Sequence, residues 1–311
     1  MGTSSSPGEN ERRVWTLDVG NSRGKLRRWR SSSGSAVDRP SWNAERASDA
    51  GDEWPLPELL AGLSRALDAE TNLASVHAAV SCVASTALEQ SVAQLFEARL
   101  PRRALGTPHS GLENLCQPPE GVGRDRLFAA RGAVERIGRS ALVVDIGSAL
   151  TVDLVRAAGT ADAARGAARF RVGSFCGGAI APGPALLASS LHGLTARLPA
   201  VDVRPPVVAL GQSTNAAISS GVFHGLRGAV RELVERLGAE AGEPTLPVVV
   251  TGGAASWVLD PPLFLGREVR FEPELVHFGL LHAALDRLSA DANGATNSPW
   301  PGATRRRPEG A

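Results

Sequence analysis

The stretches TLDVGNS at residues 16–22 and VVDIGSA at residues 143–149 repeat one pattern. Each reads as a buried strand that ends in Asp-x-Gly, followed by a small residue with an amide or hydroxyl group. This weak internal duplication predicts two related lobes that face each other. Strand and helix patterns alternate around both stretches, so we expect an α/β fold with mixed sheets flanked by helices.

Working outward from the repeat, the apolar spacing predicts strands at 14–19, 25–30, 75–83, 140–146, 150–155, 170–175 and 247–251. The same criterion predicts helices at 56–68, 86–99, 124–137, 183–191, 214–237 and 274–288. The polar stretch 31–57 is broken by Gly and Pro and is interpreted as a long loop. The expected division is a disordered tail (1–12), an N-terminal lobe (13–139), a C-terminal lobe (140–287) and a second disordered tail (288–311).

The composition excludes several classes of protein. Lys+Arg is 33 and Asp+Glu is 32 in 311 residues, a net charge of +1, so broad nucleic-acid binding and electrostatic membrane docking are not expected. No apolar run reaches the roughly 18 residues of a membrane span, and the polar start lacks a signal core. Cys82, Cys116 and Cys176 form no CxxC pair, which suits a reducing cytoplasm and argues against a zinc site.

The segment from Asp18 to Lys25 is the first candidate for chemistry. Its glycines and short polar residues expose backbone N–H groups that suit phosphate oxygens, and Asp18 suits a divalent cation. Lys25 is the only lysine of the chain and supplies a point charge, although it could be a chance survivor in an arginine-rich sequence. Asp145, Gly147 and Ser148 repeat this arrangement. The alternative for each turn is an ordinary hairpin with an acid at the strand end.

The sequence GRDR at 123–126 is the second candidate, at the start of a predicted helix. Asp125 could accept a proton from a hydroxyl nucleophile, and Arg126 could bind a substrate carboxylate with two hydrogen bonds. The alternative is a plain helix start, where an acid is favoured by the dipole. Glycine-rich loops are also expected at 176–183, 211–214 and 251–253, either for close approach of a nucleotide or of a partner backbone, or as turns. No GxxxxGK[ST] and no GxGxxG occurs, and the histidines lack metal-ligand spacing.

Taken in order, these motifs resemble those of the type III pantothenate kinases, a family of the actin, Hsp70 and sugar-kinase superfamily. The resemblance runs from about residue 14 to residue 285. It rests on DVGNSRGK at 18–25, GRDR at 123–126, DIGSALTVD at 145–153, GGAIAPG at 177–183, GQST at 211–214 and TGG at 251–253. Ser22 and Ser148 stand where the family usually has Thr, Cys116 where many members have Tyr, and Pro184 where Leu is common.

The resemblance implies two lobes of the actin-like ATPase (ribonuclease H-like) type and a reaction that phosphorylates pantothenate with Mg-ATP, the first step toward coenzyme A. It implies a cytoplasmic homodimer, a small-molecule substrate, a catalytic base at Asp125 and a monovalent cation, K⁺ or NH₄⁺, at Asp145. The ATP site would comprise Asp18, Val19, Gly20, Asn21, Ser22, Arg23, Gly24, Lys25 and Ser148. The pantothenate site would comprise Gly123, Arg124, Asp125, Arg126 and Thr214.

Two alternatives remain open at this point. One is another kinase of the same superfamily that acts on a sugar or a different hydroxylated acid, against which the GRDR motif favours a carboxylate substrate. The other is a non-enzymatic regulatory or accessory protein on the same scaffold.

Overall fold

The computed structural model describes residues 13–31, 42–45, 53–100, 108–159 and 172–292. Within these ranges the chain forms two mixed sheets with helices packed on them, which confirms the predicted α/β architecture. The expected tail at 1–12 lies outside the described residues. None of the helices in the described ranges has the length and apolarity to cross a bilayer.

The first sheet has the order β3-β2-β1-β5, with β4 paired to β2. Its strands are β1 (Arg13–Val19), β2 (Arg23–Ser31), β3 (Trp42–Glu45), β4 (Glu53–Pro55) and β5 (Val76–Cys82). Helices α1 (Leu59–Asp68) and α2 (Thr86–Arg99) cover one face, where the alternating apolar residues of β1 point. The predicted loop at 31–57 is therefore wrong at β3 and β4, and most of its remainder lies outside the described residues.

The second sheet has the order β11-β10-β7-β8-β9-β6. Its strands are β6 (Leu112–Asn114), β7 (Ala141–Ile146), β8 (Ala149–Ala157), β9 (Gly173–Pro182), β10 (Val248–Thr251) and β11 (Val269–Phe271). The helices of this half are α3 (Arg124–Ile137), α4 (Pro184–Gly193), α5 (Thr214–Glu240), α6 (Ser256–Leu259) and α7 (Leu275–Ala292). The last helix continues beyond its predicted end at residue 288.

The sequence duplication has a counterpart in the strand topology. In the first sheet β1 pairs antiparallel with β2 and parallel with β5. In the second sheet β7 pairs antiparallel with β8 and parallel with β10. Asp18 faces Ser81 across the parallel pair of the first sheet, and Asp145 faces Thr251 at the same place in the second. The two Asp-x-Gly stretches therefore occupy equivalent places in two similar sheets.

Helices α3 and α7 lie between the sheets and join them through one apolar cluster. This cluster includes Val14 and Ala79 from the first sheet and Val143 and Val249 from the second. Because side chains alternate along a strand, Asp18 points to the same face as Val14, and Asp145 to the same face as Val143. Both acids are thus directed toward the space between the two sheets.

The prediction of a glycine-rich loop at 176–183 is wrong, because β9 continues through it to Pro182. Its glycines are explained by close strand packing: a Cβ on Gly178 would lie 2.1 Å from the carbonyl oxygen of Val152. A bulge at Cys176 also interrupts the pairing of β8 and β9. The predicted strand at 170–175 accordingly begins only at Gly173, and residues 170–171 lie outside the described ranges.

Candidate active site

The two Asp-x-Gly turns meet. The hydroxyl oxygens of Ser22 and Ser148 lie 3.2 Å apart, and both side chains are exposed. Each turn is closed by one backbone hydrogen bond of 2.9 Å, from the N–H of Gly20 to the carbonyl of Arg23 and from Gly147 to Ala149. The structure therefore brings together the two turns that the sequence separates by more than a hundred residues.

Two carboxyl groups lie behind these turns with raised pKa values. Burial, followed by the charge of Asp125, raises the pKa of Asp18 to about 7 and that of Asp145 to about 6. Asp145 also adds to the shift at Asp18, so the three carboxyl groups lie close enough to repel one another. Such mutual repulsion favours a cation or a proton in the site.

Lys25 is the positive charge among these acids. It pairs with Asp18 in the register of β1 and β2, and its charge lowers the pKa of both Asp18 and Asp145. A half-buried ammonium that faces two carboxylates and an exposed turn is well placed for an anionic ligand. The only lysine of the chain therefore lies at the centre of the site.

Asp125 lies in the first turn of α3, and its Oδ1 accepts the backbone N–H of Arg126 at 2.8 Å. Burial raises the pKa of Asp125, while this N–H and the guanidinium of Arg126 oppose the rise. Since the carboxyl group also influences Asp18 and Asp145, the helix start and both turns form one site.

The two arginines of GRDR already have protein partners. Arg126 binds Asp153 of β8 through both Nε, at 3.1 Å, and Nη2. Arg124 forms an ion pair with Glu89 of α2. Asp153 therefore occupies the Nε/Nη2 side of the guanidinium, and the role of Arg126 toward a substrate carboxylate stays a prediction for its Nη1 end.

Gly252, which directly follows β10 in the TGG sequence, packs against Asp145. Gly252 has a φ of +93°, and a Cβ on it would lie 2.5 Å from Oδ1 of Asp145. Only glycine combines this backbone conformation with such a close approach. The loop expected at 251–253 is thus part of the site's wall.

The remaining predicted residues differ in their surroundings. Asn21, Ser22 and Arg23 are exposed, whereas Val19 and Gly24 are buried, and Gly24 packs against Leu59 of α1. Thr214 is exposed at the start of α5, which packs on the face of the second sheet opposite α3. In the described part of the chain no hydrogen bond joins Thr214 to Asp125, so the role of Thr214 stays a prediction.

Asp153 is the residue of this site that the sequence did not single out. It is the last residue of the DIGSALTVD stretch and lies in the predicted strand at 150–155, where it is 1% exposed and carries the ion pair with Arg126. A buried position for an acid in an otherwise apolar strand is the signal that could have identified it, since such acids are almost always paired.

The donor set fits a cation that is shared with a phosphorylated ligand. Oδ1 of Asp18 is buried without a hydrogen-bond partner in the described residues, and an unsatisfied carboxylate oxygen is a cation ligand. Within those residues no group of three or more His, Cys, Asp or Glu side chains is arranged to hold a metal ion by itself. Mg²⁺ is usually held by one or two carboxylates together with phosphates and waters, so this limited donor set suits it.

The raised pKa of Asp18 predicts a pH dependence of stability in the ligand-free protein. Its folded pKa of about 7 lies above its ordinary value of 3.8, so between these pH values the folded state binds more protons than the unfolded state. The contribution of Asp18 to the free energy of unfolding is complete below about pH 4 and is lost as the pH rises through about 7. At about 1.4 kcal/mol per pH unit, the full contribution is roughly 4 kcal/mol. Urea unfolding at about pH 5 and about pH 8 spans about two pH units of this range and should therefore show about 3 kcal/mol of it.

In this experiment Asp18→Asn is the control variant. Its free energy of unfolding should change less between the two pH values than that of the wild type. An equal change in both proteins would show that Asp18 is not the group responsible.

Comparisons with known proteins identify a family for this chain. A sequence model described as "Type III pantothenate kinase" matches residues 15–236. A type III pantothenate kinase of Gluconobacter oxydans is 36% identical over 59% of this chain and 59% of its own length. One from Rhodospirillum rubrum is 33% identical over 70% of this chain and 77% of its own length. The alignments thus span from somewhat over half to about three quarters of these two relatives.

Solved structures give weaker likenesses. A glucokinase from an Antarctic psychrotroph has a TM-score of 0.45 at 11% identity, and covers 88% of this chain and 99% of its own. The archaeal actin homologue Ta0583 has a TM-score of 0.44 at 13% identity, and the match covers 88% of this chain and 99% of the homologue. The fold class rests on the two mixed sheets themselves. On the sequence match, which includes both turns and the GRDR motif, the chain belongs to the type III pantothenate kinase family.

Proposed function

We propose that this protein transfers the γ-phosphoryl group of ATP to the primary hydroxyl of pantothenate, which yields 4'-phosphopantothenate in the first step of coenzyme A biosynthesis. The observation that supports this most is the contact of Ser22 with Ser148, with three carboxylates and Lys25 behind it. Phosphoryl transfer needs positioning and charge stabilisation more than covalent catalysis, and this arrangement supplies both.

In the proposed reaction the hydroxyl oxygen of pantothenate attacks the γ-phosphorus of ATP. The new O–P bond forms as the bond between the γ-phosphorus and the bridging oxygen breaks, and ADP leaves with the electron pair. The hydroxyl proton passes to the carboxylate of Asp125. Burial raises the pKa of this carboxyl group, which makes it a stronger base once it is ionised.

The proposed ATP site consists of the two turns and Lys25. Backbone N–H groups at Asn21, Ser22 and Ser148 would hold phosphate oxygens, and the Lys25 ammonium would neutralise their charge. The family resemblance extends this site over Asp18, Val19, Gly20, Asn21, Ser22, Arg23, Gly24, Lys25 and Ser148. Closure of the two lobes around the triphosphate would exclude water and limit hydrolysis of ATP.

The proposed pantothenate site begins at Gly123–Arg126. Because Asp153 holds Nε and Nη2 of Arg126, the substrate carboxylate would bind at Nη1, which has no hydrogen-bond partner in the described residues. Thr214 is the more distant member of this proposed site. Its exposure at the start of α5 allows a contribution in an assembly of two copies.

Two cations complete the proposal. Mg²⁺, when bound at Asp18 with the phosphates, neutralises charge that develops on the transferred group. Asp145 would hold K⁺ or NH₄⁺, so we expect activity to fall when K⁺ is replaced by Na⁺ at the same ionic strength. A coupled ADP assay in the two salts measures this effect. Equal rates in both would argue against a selective monovalent site.

A cytoplasmic homodimer is also proposed. Five large apolar side chains lie exposed within residues 180–210, which surround α4 and lead into α5: Ile180, Leu186, Leu194, Val208 and Leu210. We take these residues as the candidate interface, since apolar side chains exposed on one chain are covered when two chains associate. Light scattering should then give twice the 32.3 kDa chain mass, and a mass of one chain would contradict the dimer.

The direct test of the proposed function is ADP release with ATP and Mg²⁺, with and without pantothenate. The proposal predicts turnover that depends on pantothenate and a phosphorylated product of the matching mass. Turnover with a sugar instead would favour another kinase of the superfamily. ATP binding without any acceptor-dependent turnover would favour a regulatory protein.

A further inference from the structure

The ion pair between Arg126 and Asp153 is more closely built than the surface pairs of this protein. The two side chains are 13% and 2% exposed, and Asp153 accepts from two nitrogens of the guanidinium. The guanidinium carbon also lies 5.4 Å from the ring centre of Phe175. A two-point pair against an aromatic ring fixes the orientation of the guanidinium plane as well as its position.

Asp153 is itself fixed by the second sheet. It lies inside β8 and is paired there with Gly178 of β9. A Cβ on Gly178 would lie only 2.4 Å from Oδ1 of Asp153, so the sheet leaves room for this carboxylate by having glycine opposite it. The side chain of Thr151 also lies close enough to lower the pKa of Asp153. The carboxylate is therefore anchored in the rigid part of the second lobe.

The anchored arginine is adjacent in sequence to Asp125, and its backbone N–H holds Oδ1 of Asp125 at 2.8 Å. When Asp153 fixes Arg126, it also fixes the N–H that orients the carboxylate of Asp125. We infer that Asp153 is a positioning residue: through Arg126 it sets the direction in which Asp125 faces the acceptor hydroxyl. This inference rests on the proposed function, in which Asp125 is the base.

A merely structural ion pair would have different consequences. Its loss would lower stability and leave turnover unchanged for the molecules that remain folded. A positioning pair lowers kcat in the folded protein, because a misplacement of about 1 Å at a reacting group can reduce the rate about a hundredfold. Binding of ATP, which depends on other residues, should be unaffected.

The test compares Asp153→Asn and Asp153→Glu with wild type by the pantothenate-dependent ADP assay. The asparagine variant removes the charge, and the glutamate variant keeps it but displaces the guanidinium by one methylene. We expect kcat to fall roughly 10- to 100-fold in both, with KM for ATP changed less than about twofold and with native circular dichroism. If Asp153→Asn does not fold, Asp153→Glu retains the buried pair and carries the test alone.

Glu243→Gln is the matched control. Glu243 accepts a hydrogen bond of 2.7 Å from Arg156, which lies in β8 as Asp153 does. The side chains of this pair are about half exposed. Its loss should leave kcat unchanged. A folded Asp153 variant with the kcat of wild type would overturn the inference.

Combining the variants tests whether Asp153 acts through Asp125. Once Asp125→Asn has removed the base, Asp153→Asn should produce no further loss of kcat, because two residues that act as a unit are not additive. Fully multiplied losses would overturn the inference and leave the proposed function intact. The proposed function itself fails on a separate result, the absence of pantothenate-dependent turnover in wild type.

Discussion

Asp125→Asn is expected to lower kcat for pantothenate phosphorylation by roughly 10²- to 10⁴-fold, the range for loss of a general base. The amide cannot accept the hydroxyl proton, yet it keeps the shape of the carboxyl group and can still accept the N–H of Arg126. We therefore expect a folded protein that binds ATP as wild type does. Steady-state ADP release and calorimetric titration with an ATP analogue measure the two properties separately.

Asp68→Asn is a suitable control for this variant. Asp68 is an exposed acid at the end of α1, where it forms an ion pair with Arg99 of α2, away from both turns. Its replacement should leave kcat within about twofold of wild type. A folded Asp125→Asn protein with nearly normal kcat would show that another group accepts the proton.

Lys25→Met is expected to lower kcat/KM for ATP by roughly 10²- to 10³-fold, the usual loss when one charge-stabilising donor is removed. The substitution removes the ammonium that would meet the phosphates and also the charge that lowers the pKa of Asp18 and Asp145. The remaining carboxylates would then repel the triphosphate more strongly. Kinetics at varied ATP concentration measure the effect.

Lys25→Arg separates charge from geometry. Its planar guanidinium keeps the charge but cannot take the place of a compact ammonium, so we expect an intermediate loss. Arg236→Gln, which breaks an exposed pair with Glu232, serves as the surface control. Unchanged kinetics in Lys25→Met would mean that the only lysine of the chain has no part in binding ATP.

Much of the site could be predicted from the sequence because its parts are local. Strand β1, the helix that begins at Arg124 and the two Asp-x-Gly turns each show their own pattern within about ten residues. Helices α2 and α3 have the predicted bounds. The approach of Ser22 to Ser148 was expected only because the two stretches repeat each other.

The parts that could not be predicted depend on contacts between distant segments. Strands β6 and β11 have three residues each, which is too short for any periodicity. From the sequence, the glycines near residue 177 predicted a loop. The structure shows instead that glycine is needed at Gly178 because the backbone of β8 lies close to it across the sheet. The pairing of Arg126 with Asp153 likewise exists only after β8 is placed against α3.

The central claim is that the two turns hold one triphosphate and that Asp125 faces the acceptor alcohol. A crystal structure with a non-hydrolysable ATP analogue, Mg²⁺ and pantothenate tests it most directly. The account predicts that the β- and γ-phosphates contact backbone N–H groups of both turns, and that the primary hydroxyl of pantothenate lies within about 3 Å of a carboxylate oxygen of Asp125. A triphosphate bound away from either turn, or a hydroxyl turned away from Asp125, would contradict it.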